Sequence, residues 1–217
     1  FPDIEAFLNL GGIANLGLHP PLTENKASVI GYDLAGCNQV LNTLATAHDA
    51  SLSYDPDGRI AATGKLHAQL LEALNAIDYY RQPPPKSLGN ADVSGLYTPV
   101  LEQFKLPPAD KLHTFCAHLG WAIARALPQL PRGECKPLLV TGGGAHNRFL
   151  MVQIRQAIAA QGFTTADASD ELVDFKEALI FAWLALRVGL AQPTTLPQST
   201  GASRAVVGGA VHWPARC

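Results

Sequence analysis

Two apolar stretches joined by a pair of glycines constrain the fold of this chain more than any other feature. Ala6 to Leu10 and Ile13 to Leu18 flank Gly11 and Gly12, a pattern typical of a β-hairpin with a short turn. A third apolar stretch, Ser28 to Leu34, contains Asp33. We therefore predict three consecutive strands, with Asp33 at the point where the third gives way to a loop. An ordinary hairpin followed by a turn-forming aspartate is the alternative interpretation.

The rest of the chain favours helices, with strands returning in the last third. Apolar residues at helical spacing, such as Val40, Leu41, Leu44 and Ala45, predict the first helix. The order of segments predicts an α/β fold, a mixed sheet covered by helices. The other predicted helices carry Ile60 to Leu74, run from Leu96 to Phe104, follow a cap at Asp110, and span Asn147 to Ala160 and Asp174 to Ala191. The other predicted strands are Pro137 to Thr141, Phe163 to Ala166 and, at the end, Ala205 to Val211.

Composition excludes several classes of protein. A chain of 217 residues that is 47% hydrophobic can bury a sizeable core, and a net charge of -2 without a basic cluster argues against nucleic-acid binding. The longest apolar run, Ala178 to Leu186, stops at Arg187, so we expect no membrane span and a cytoplasmic location. Four scattered cysteines indicate free thiols in a reducing compartment: Cys37, Cys116, Cys135 and Cys217.

Asp33 and a run of three glycines are the strongest candidates for chemistry. A carboxylate at a strand end can accept a proton from water or a hydroxyl. Gly142, Gly143 and Gly144 lie between a predicted strand and a helix, where backbone N–H groups can face a phosphate or a flat ring. The run matches neither dinucleotide-binding nor P-loop spacing, and a tight strand-helix packing turn is the competing explanation.

Two further segments are weaker candidates. Lys86 and Ser87 follow three prolines and could contact an anion or a sugar, although an exposed lysine is more often merely solvated. Glu177 lies near the start of a very apolar helix, where acidic residues also favour the helix dipole. The seven histidines show no metal-binding spacing, so we predict no protein-bound metal site.

Taken together, these segments resemble the anhydro-N-acetylmuramic acid kinase family. The resemblance covers nearly the whole chain, and its specificity lies in the combination and order of the segments. They are Asn9 to Leu16, Gly31 to Asp33, Cys37-Asn38, Asp57-Gly58, Pro85 to Ser87, Thr141 to Asn147, Lys176 to Ala182 and Thr200 to Arg204.

The resemblance implies one lobe of a two-lobed enzyme of the actin-like sugar-kinase superfamily, with a ribonuclease-H-like mixed sheet of five strands flanked by helices. It implies that water attacks the anomeric carbon of 1,6-anhydro-N-acetylmuramic acid while its 6-oxygen takes the γ-phosphate of ATP with Mg²⁺, a step in cell-wall recycling. Asp33 would be the catalytic base. The residues implied for ATP are Gly11, Gly12, Asn15, Gly142, Gly143, Gly144 and Asn147, and those for the sugar are Asn38, Lys86, Ser87 and Glu177.

The chain also departs from the family pattern. Leu34-Ala35-Gly36-Cys37 replaces the more usual Thr-Gly-Pro-Gly before Asn38, and Leu88-Gly89-Asn90 replaces Thr-Gly-Arg. No Gly-Thr/Ser-x-Asp-Gly phosphate element is present, the chain starts at Phe1, and Met151 is its only methionine. We therefore expect residues 1–217 to be the C-terminal lobe of a longer protein that lacks its N-terminal lobe here, is inactive alone, and forms a homodimer when complete.

Two alternatives remain open from the sequence. The chain could be a noncatalytic or degenerate lobe that binds a ligand or an interaction partner. It could also belong to a different sugar or acyl kinase of the same superfamily, although the segments around Lys86 and Lys176 favour the anhydromuramic acid branch.

Overall fold

A single mixed sheet of five strands organises the chain. The structure, a computed structural model, describes residues 1, 3–20, 22–23 and 29–212. Its strands are β1 (Ala6–Leu10), β2 (Ile13–Leu18), β3 (Ile30–Gly36), β4 (Lys136–Thr141) and β5 (Phe163–Asp167). They lie in the order β3-β2-β1-β4-β5; the first three pair antiparallel, and β4 and β5 run parallel to β1. The predicted fold class, a ribonuclease-H-like mixed sheet flanked by helices, is confirmed.

The third strand differs from its predicted form at both ends. The predicted start, Ser28, lies outside the described residues, and the strand continues past Leu34 to Gly36. Asp33 therefore lies inside β3 and not at its end. The register explains this: Asn15 pairs with Asp33, whereas Ala14 pairs with Ala35, so Leu34 is the extra residue of a β-bulge.

The predicted last strand, Ala205 to Val211, is wrong. The carbonyl of Val206 instead accepts a hydrogen bond of 3.0 Å from the backbone N–H of Thr194, and its own N–H donates to Thr195 Oγ1 at 3.0 Å. A local loop therefore satisfies these backbone groups, and the segment adds no strand to the sheet.

Eight α-helices surround the sheet in the described residues. The predicted helix that carries Ile60 to Leu74 is split after Thr63. Gly64 packs closely on the helix that begins at Pro108, because a Cβ at Gly64 would lie 2.1 Å from the Ala109 carbonyl oxygen. Asp110 lies in a first helical turn and not at a cap; its carboxylate accepts from Lys65 N at 2.8 Å. The helices are α1 (Asn38–His48), α2 (Arg59–Thr63), α3 (Ala68–Asn75), α4 (Asn90–Glu102), α5 (Pro108–Ala126), α6 (Arg148–Ala159), α7 (Asp170–Gly189) and α8 (Pro197–Thr200).

The core lies between one face of the sheet and the helices α1 to α6. Side chains alternate along a strand, so Leu8 and Leu10 of β1 are buried on this face, whereas Asn9 points to the opposite one. The central helix α5 contributes Phe115 and Leu119, both fully buried. The opposite face of the sheet, which carries Asn9, is called the open face below.

A polar network lies inside this core. Tyr80 Oη lies 2.7 Å from His118 Nε2 and 2.5 Å from Tyr97 Oη, while His118 Nδ1 lies 2.7 Å from Asn75 Oδ1. Burial lowers the pKa of His118 to about 3, so the ring is neutral at ordinary pH. Because the asparagine oxygen can only accept, Nδ1 carries the proton and Nε2 accepts from Tyr80.

Helix α7 is long yet has no buried residue within the described structure, a property it shares only with the four-residue α8 among the described helices. Phe175, Phe181 and Trp183 are 64%, 68% and 52% exposed, and Leu179, Leu186 and Leu190 are similarly exposed. A helix that is apolar around most of its circumference is normally covered. Even so, none of the described helices is long and apolar enough to span a bilayer. Cys37, Cys116 and Cys135 are free thiols, as predicted, and Cys217 lies outside the described residues.

Candidate active site

Four polar residues form a row across the open face of the sheet. The strand registers pair Thr141 of β4 with Asn9 of β1, Asn9 with Asn15 of β2, and Asn15 with Asp33 of β3. Asn9 Nδ2 donates to Asn15 Oδ1 at 3.0 Å, and Asn15 Nδ2 donates to Asp33 Oδ1. Each amide therefore has its orientation set by its neighbours, and the row ends at the aspartate.

The carboxylate of Asp33 is held at both oxygens. Asn15 Nδ2 donates to Oδ1, and the backbone N–H of Leu88 donates to Oδ2 at 2.8 Å. The backbone is fixed as well, since Asp33 N donates to the Lys86 carbonyl at 3.1 Å and Tyr79 Oη donates to the Asp33 carbonyl at 2.5 Å. Each carboxylate oxygen retains a further lone pair that can accept a proton from a substrate or water.

The turn at Gly11 and Gly12 is attached to the start of α1. The Gly12 carbonyl accepts from the N–H groups of Cys37 at 2.9 Å and Gln39 at 3.2 Å, and the Gly11 carbonyl accepts from Asn38 N at 3.1 Å. In a planar trans peptide the N–H points opposite to the carbonyl. The N–H groups of Gly12 and Ile13, which share peptides with these two carbonyls, therefore point away from α1. An exposed turn of this kind suits an approaching anion.

The three consecutive glycines differ in their surroundings. Gly142 has a φ of +85°, and a Cβ there would lie 2.7 Å from Asn9 Oδ1. A Cβ on Gly144 would lie 2.7 Å from Leu10 Cβ. At Gly143, by contrast, a Cβ would meet only Asn38 Nδ2, at 3.9 Å. The outer glycines therefore serve close packing against the hairpin, while the middle one leaves space that the fold does not use.

That space is the edge of a cavity of about 430 Å³, which we call the glycine cavity. Asn147 caps α6 here, its Oδ1 accepting from Leu150 N at 2.9 Å. A Cβ on Gly58 would lie 2.2 Å from Asn147 Oδ1, so the turn before α2 closes on the cap. The cavity is lined by Asn38, Leu41, Asn42, Tyr54, Asp55, Pro56, Asp57, Gly143, Gly144, His146 and Asn147.

Asn38, a predicted sugar contact, lies in the glycine cavity. Its Nδ2 donates to the Leu10 carbonyl at 3.0 Å. Tyr54 and Asp57 line the same cavity, although sequence reasoning gave neither a role. The sequence Asp-Pro-Asp-Gly at residues 55–58 is typical of a turn, but it does not indicate which distant loop the turn meets.

The other predicted sugar residues are only partly brought together. Lys86 Nζ donates to the Tyr79 carbonyl at 2.8 Å and lies 4.2 Å from the centre of the Tyr79 ring, beside a second cavity of about 640 Å³. Burial, and secondarily Arg125, lower the pKa of Lys86. Ser87 is exposed and lies between Lys86 and Leu88, whose backbone groups both form hydrogen bonds with Asp33. Thus Lys86 supports Asp33 through its backbone carbonyl, which accepts from the Asp33 backbone N–H, and not through its ammonium.

Helix α7 brings a different residue to the sheet from the one predicted. Glu177 is exposed, whereas its neighbour Lys176 donates hydrogen bonds to Asn9 Oδ1 and, at 2.9 Å, to Thr141 Oγ1. Sequence reasoning singled out Glu177 and left Lys176 without a role. The only available signal was a cation at the start of a very apolar helix, which indicates nothing about its partners.

Comparisons with known proteins match the chain to one family of enzymes. The family model described as "Anhydro-N-acetylmuramic acid kinase" matches residues 2–214. Enzymes carrying that name are similar to the chain: one from Vibrio vulnificus is 35% identical over 91% of this chain and 52% of its own length. Others from Burkholderia lata and Prochlorococcus marinus are 37% and 35% identical over 94% and 96% of this chain, and 54% and 57% of their own lengths.

The chain thus spans about half the length of the curated relatives it matches. Among solved structures, component A of (R)-2-hydroxyglutaryl-CoA dehydratase from Acidaminococcus fermentans has a TM-score of 0.42 and 14% identity, over 82% of this chain and 60% of that one. This likeness is too loose to support any argument. The family model, which covers almost every residue, does show the family: the chain belongs to the anhydro-N-acetylmuramic acid kinase family.

Proposed function

We propose that this chain is the lobe that carries the catalytic carboxylate of an ATP-dependent anhydro-N-acetylmuramic acid kinase, and that Asp33 is its base. The observation that carries the proposal is the fixed carboxylate on the open face, beside two glycine turns, in a member of this family. Activating water requires a carboxylate with a free lone pair and a defined direction. Asp33 meets both requirements, because its hydrogen-bond donors occupy one site on each oxygen.

The proposed reaction has two linked parts. Water attacks the anomeric carbon of 1,6-anhydro-N-acetylmuramic acid, and its proton passes to Asp33 as the new C–O bond forms. The bond between that carbon and the 6-oxygen breaks, and the 6-oxygen bonds to the γ-phosphorus of ATP as ADP leaves. The product is N-acetylmuramic acid 6-phosphate. Since phosphoryl transfer depends on positioning and charge, the rest of the site has to hold the phosphates.

The glycine cavity is the proposed nucleotide side of the site. Gly143 offers space for a ring or ribose, and Asn38 and Asn147 line the cavity beside it. The exposed turn at Gly11 and Gly12 is the proposed contact for the phosphates, and Asn15 would serve Asp33 directly. This changes the role of two residues: Asn38 moves to the nucleotide side, and Asn15 supports the base.

Mg²⁺ is expected to bind mainly through the phosphates. Within residues 1, 3–20, 22–23 and 29–212, no three His, Cys, Asp or Glu side chains come together as a metal site. Mg²⁺ commonly keeps several waters and uses one or two carboxylates plus substrate phosphates, so a preformed cage is not required. When bound, it would neutralise charge on the transferring phosphate.

Ser87 and Glu177 are the proposed contacts for the sugar. Ser87 lies next to Leu88, whose N–H bonds Asp33, and is exposed, so its hydroxyl is available to a sugar hydroxyl. Glu177 is exposed one residue from Lys176, which reaches the same open face. Lys86 has its ammonium bonded to Tyr79, so we propose that it shapes the loop and does not contact the sugar.

The remaining half of the site is proposed to come from an N-terminal lobe. The relatives are about twice as long as this chain, and the uncovered apolar residues of α7 are what a missing neighbour would bury. Closure of two lobes would hold the phosphates and exclude water. A homodimer of the complete protein and a cytoplasmic location are also proposed, on the family resemblance alone.

Asp33→Asn in the full-length protein tests the base assignment. It keeps the shape of the side chain and removes the basic site, so turnover should fall by about 10²–10⁴-fold with ATP, Mg²⁺ and the anhydro sugar. The 6-phosphate product is measured by mass spectrometry. Asp49→Asn is the matched control, because that exposed carboxylate bonds only within the turn to Ser51, and it should leave turnover unchanged.

Turnover of Asp33→Asn close to that of wild type would rule out Asp33 as the base. A wild-type full-length protein that binds ATP or the sugar without forming product would favour the noncatalytic alternative. Residues 1–217 assayed alone should give no product, because they supply only one side of the phosphate clamp. Robust product from this chain alone would refute the two-lobe proposal.

A further inference from the structure

Lys176 occupies a position between the two glycine turns. Its ammonium donates to Asn9 Oδ1 and, at 2.9 Å, to Thr141 Oγ1. Asn9 lies two residues before Gly11, and Thr141 directly precedes Gly142. The lysine of a largely exposed helix is thus bonded to the two strand ends from which the proposed phosphate turn and nucleotide turn begin.

The two turns approach each other at the atom that Lys176 binds. A Cβ on Gly142 would lie 2.7 Å from Asn9 Oδ1, the same oxygen that accepts from the lysine. It would also lie 2.9 Å from the Leu10 carbonyl oxygen. The ammonium therefore lies at the junction of both turns, and a group bound across them would be within reach of its charge.

The charge of Lys176 is poorly compensated where it lies. Both bonded oxygens belong to neutral groups, and no carboxylate forms an ion pair with this ammonium among the described residues. Burial lowers the pKa of Lys176, which the neighbouring charge of Glu177 opposes only in part. An ammonium has three donors, and two are used, so one remains for an anion.

We propose that Lys176 binds the phosphate groups of the nucleotide, with Asn9 and Thr141 holding its ammonium between the two glycine turns. This rests on the proposed function and adds to it a cation at the junction of the two turns. A lysine ammonium suits phosphate as a compact point charge, and hydrogen bonds between ionised partners are stronger than neutral ones. The same contacts bring α7 to the sheet, so nucleotide binding and the placement of α7 are linked.

The competing explanation is that Lys176 only anchors α7. The two explanations differ in how they treat a nucleoside without phosphates. If the lysine binds phosphate, removing its charge weakens ATP and ADP and leaves adenosine unaffected. If it only anchors the helix, all three ligands weaken together, or none does.

Lys176→Met in the full-length protein makes this comparison by calorimetry. Methionine keeps most of the apolar stem and removes the charge and the donors. We expect Kd for ATP and ADP to rise about 10- to 100-fold, as for the loss of a hydrogen bond between charged groups, and Kd for adenosine to change less than about 2-fold. Lys105→Met, at an exposed position before α5, is the control and should change none of them.

Thermal unfolding of each variant is measured alongside. Should Lys176→Met lose its fold, Lys176→Gln keeps an N–H donor without the charge and gives the same comparison. Unchanged affinity for ATP, or an equal loss for ATP and adenosine, overturns the inference while leaving the kinase proposal standing. A wild-type protein that binds adenosine and ATP equally overturns it too, and one that binds no nucleotide overturns the proposed function as well.

Discussion

Replacing the middle glycine of Gly142-Gly143-Gly144 should separate nucleotide binding from stability. At Gly143 an added Cβ would meet only Asn38 Nδ2, at 3.9 Å, and its φ is not in the left-handed region. At Gly144 the same atom would lie 2.7 Å from Leu10 Cβ and 3.0 Å from the Leu10 carbonyl oxygen. Adjacent alanine substitutions thus form a matched pair, one tolerated by the fold and one opposed by it.

The expected magnitudes follow from these contacts. Gly143→Ala should leave the free energy of unfolding unchanged or raise it by about 0.4–1 kcal/mol, because alanine restricts the unfolded chain. Gly144→Ala should lower it by about 1–3 kcal/mol, the usual cost of overpacking a site bounded by other atoms. At about 2–4 °C per kcal/mol, Gly144→Ala should melt roughly 2–12 °C lower. Unfolding of this chain in urea and by heat measures both.

For nucleotide binding, unlike stability, we expect Gly143 to be the more sensitive of the two glycine positions. Gly143→Val would fill the edge of the glycine cavity, so we expect ADP to bind the full-length protein at least about 10-fold more weakly, equivalent to about 1.4 kcal/mol. Calorimetry with ADP provides the measurement, and the unfolding experiment on the same variant is its control. The stability of Gly143→Val should change far less than that of Gly144→Ala.

Two outcomes would refute this reasoning. If Gly143→Val weakened ADP binding and stability in parallel, the glycine would be needed only for tight packing between β4 and α6. If it changed neither, the nucleotide would not approach Gly143, and the glycine cavity would lose its proposed role.

Two other variants test the support of the base and the buried network. Asn15→Ala removes the donor to Asp33 Oδ1 and should lower kcat about 10- to 100-fold with little change in KM for ATP; a raised KM with normal kcat would instead indicate a nucleotide contact. Burial lowers the pKa of His118 to about 3, whereas an unfolded histidine has a pKa of about 6.5. As pH falls from about 6.5 towards 3, only the unfolded state therefore binds a proton at this residue. The free energy of unfolding should fall by up to about 1.4 kcal/mol per pH unit across this range. Urea titrations across that range should show a shallower fall for His118→Gln, and an equal slope would contradict the assignment.

Local sequence pattern was sufficient for most of the sheet. The hairpin of β1 and β2 was predicted to the residue, because a short glycine turn between apolar runs leaves few alternatives. The start of α6 was predicted to within about one residue, and Asn147 caps this helix in the structure. These features depend only on residues close together in the sequence, so they can be predicted without knowledge of the tertiary structure.

Features that depend on distant contacts were missed or misplaced. The split between α2 and α3 follows from the approach of Gly64 to Ala109, and the bulge at Leu34 from the register between β2 and β3. The last predicted strand does not form, because Thr194 and Thr195 hydrogen-bond to the backbone of Val206 instead. No local pattern encodes which remote backbone a segment will meet.

For the proposed site, the sequence alone was enough to single out Asp33 and the two glycine turns as candidates, because a carboxylate near a strand end suits proton transfer and glycines leave backbone N–H groups open to an anion. Only the tertiary structure decided what surrounds them. It placed Asn15 and the Leu88 amide on the carboxylate, placed Asn38 in the glycine cavity, and brought Lys176 instead of Glu177 into contact with the sheet. The reason is physical: residue type and spacing fix what a side chain can do, but the register of the strands and the rotation of a helix fix what it can reach.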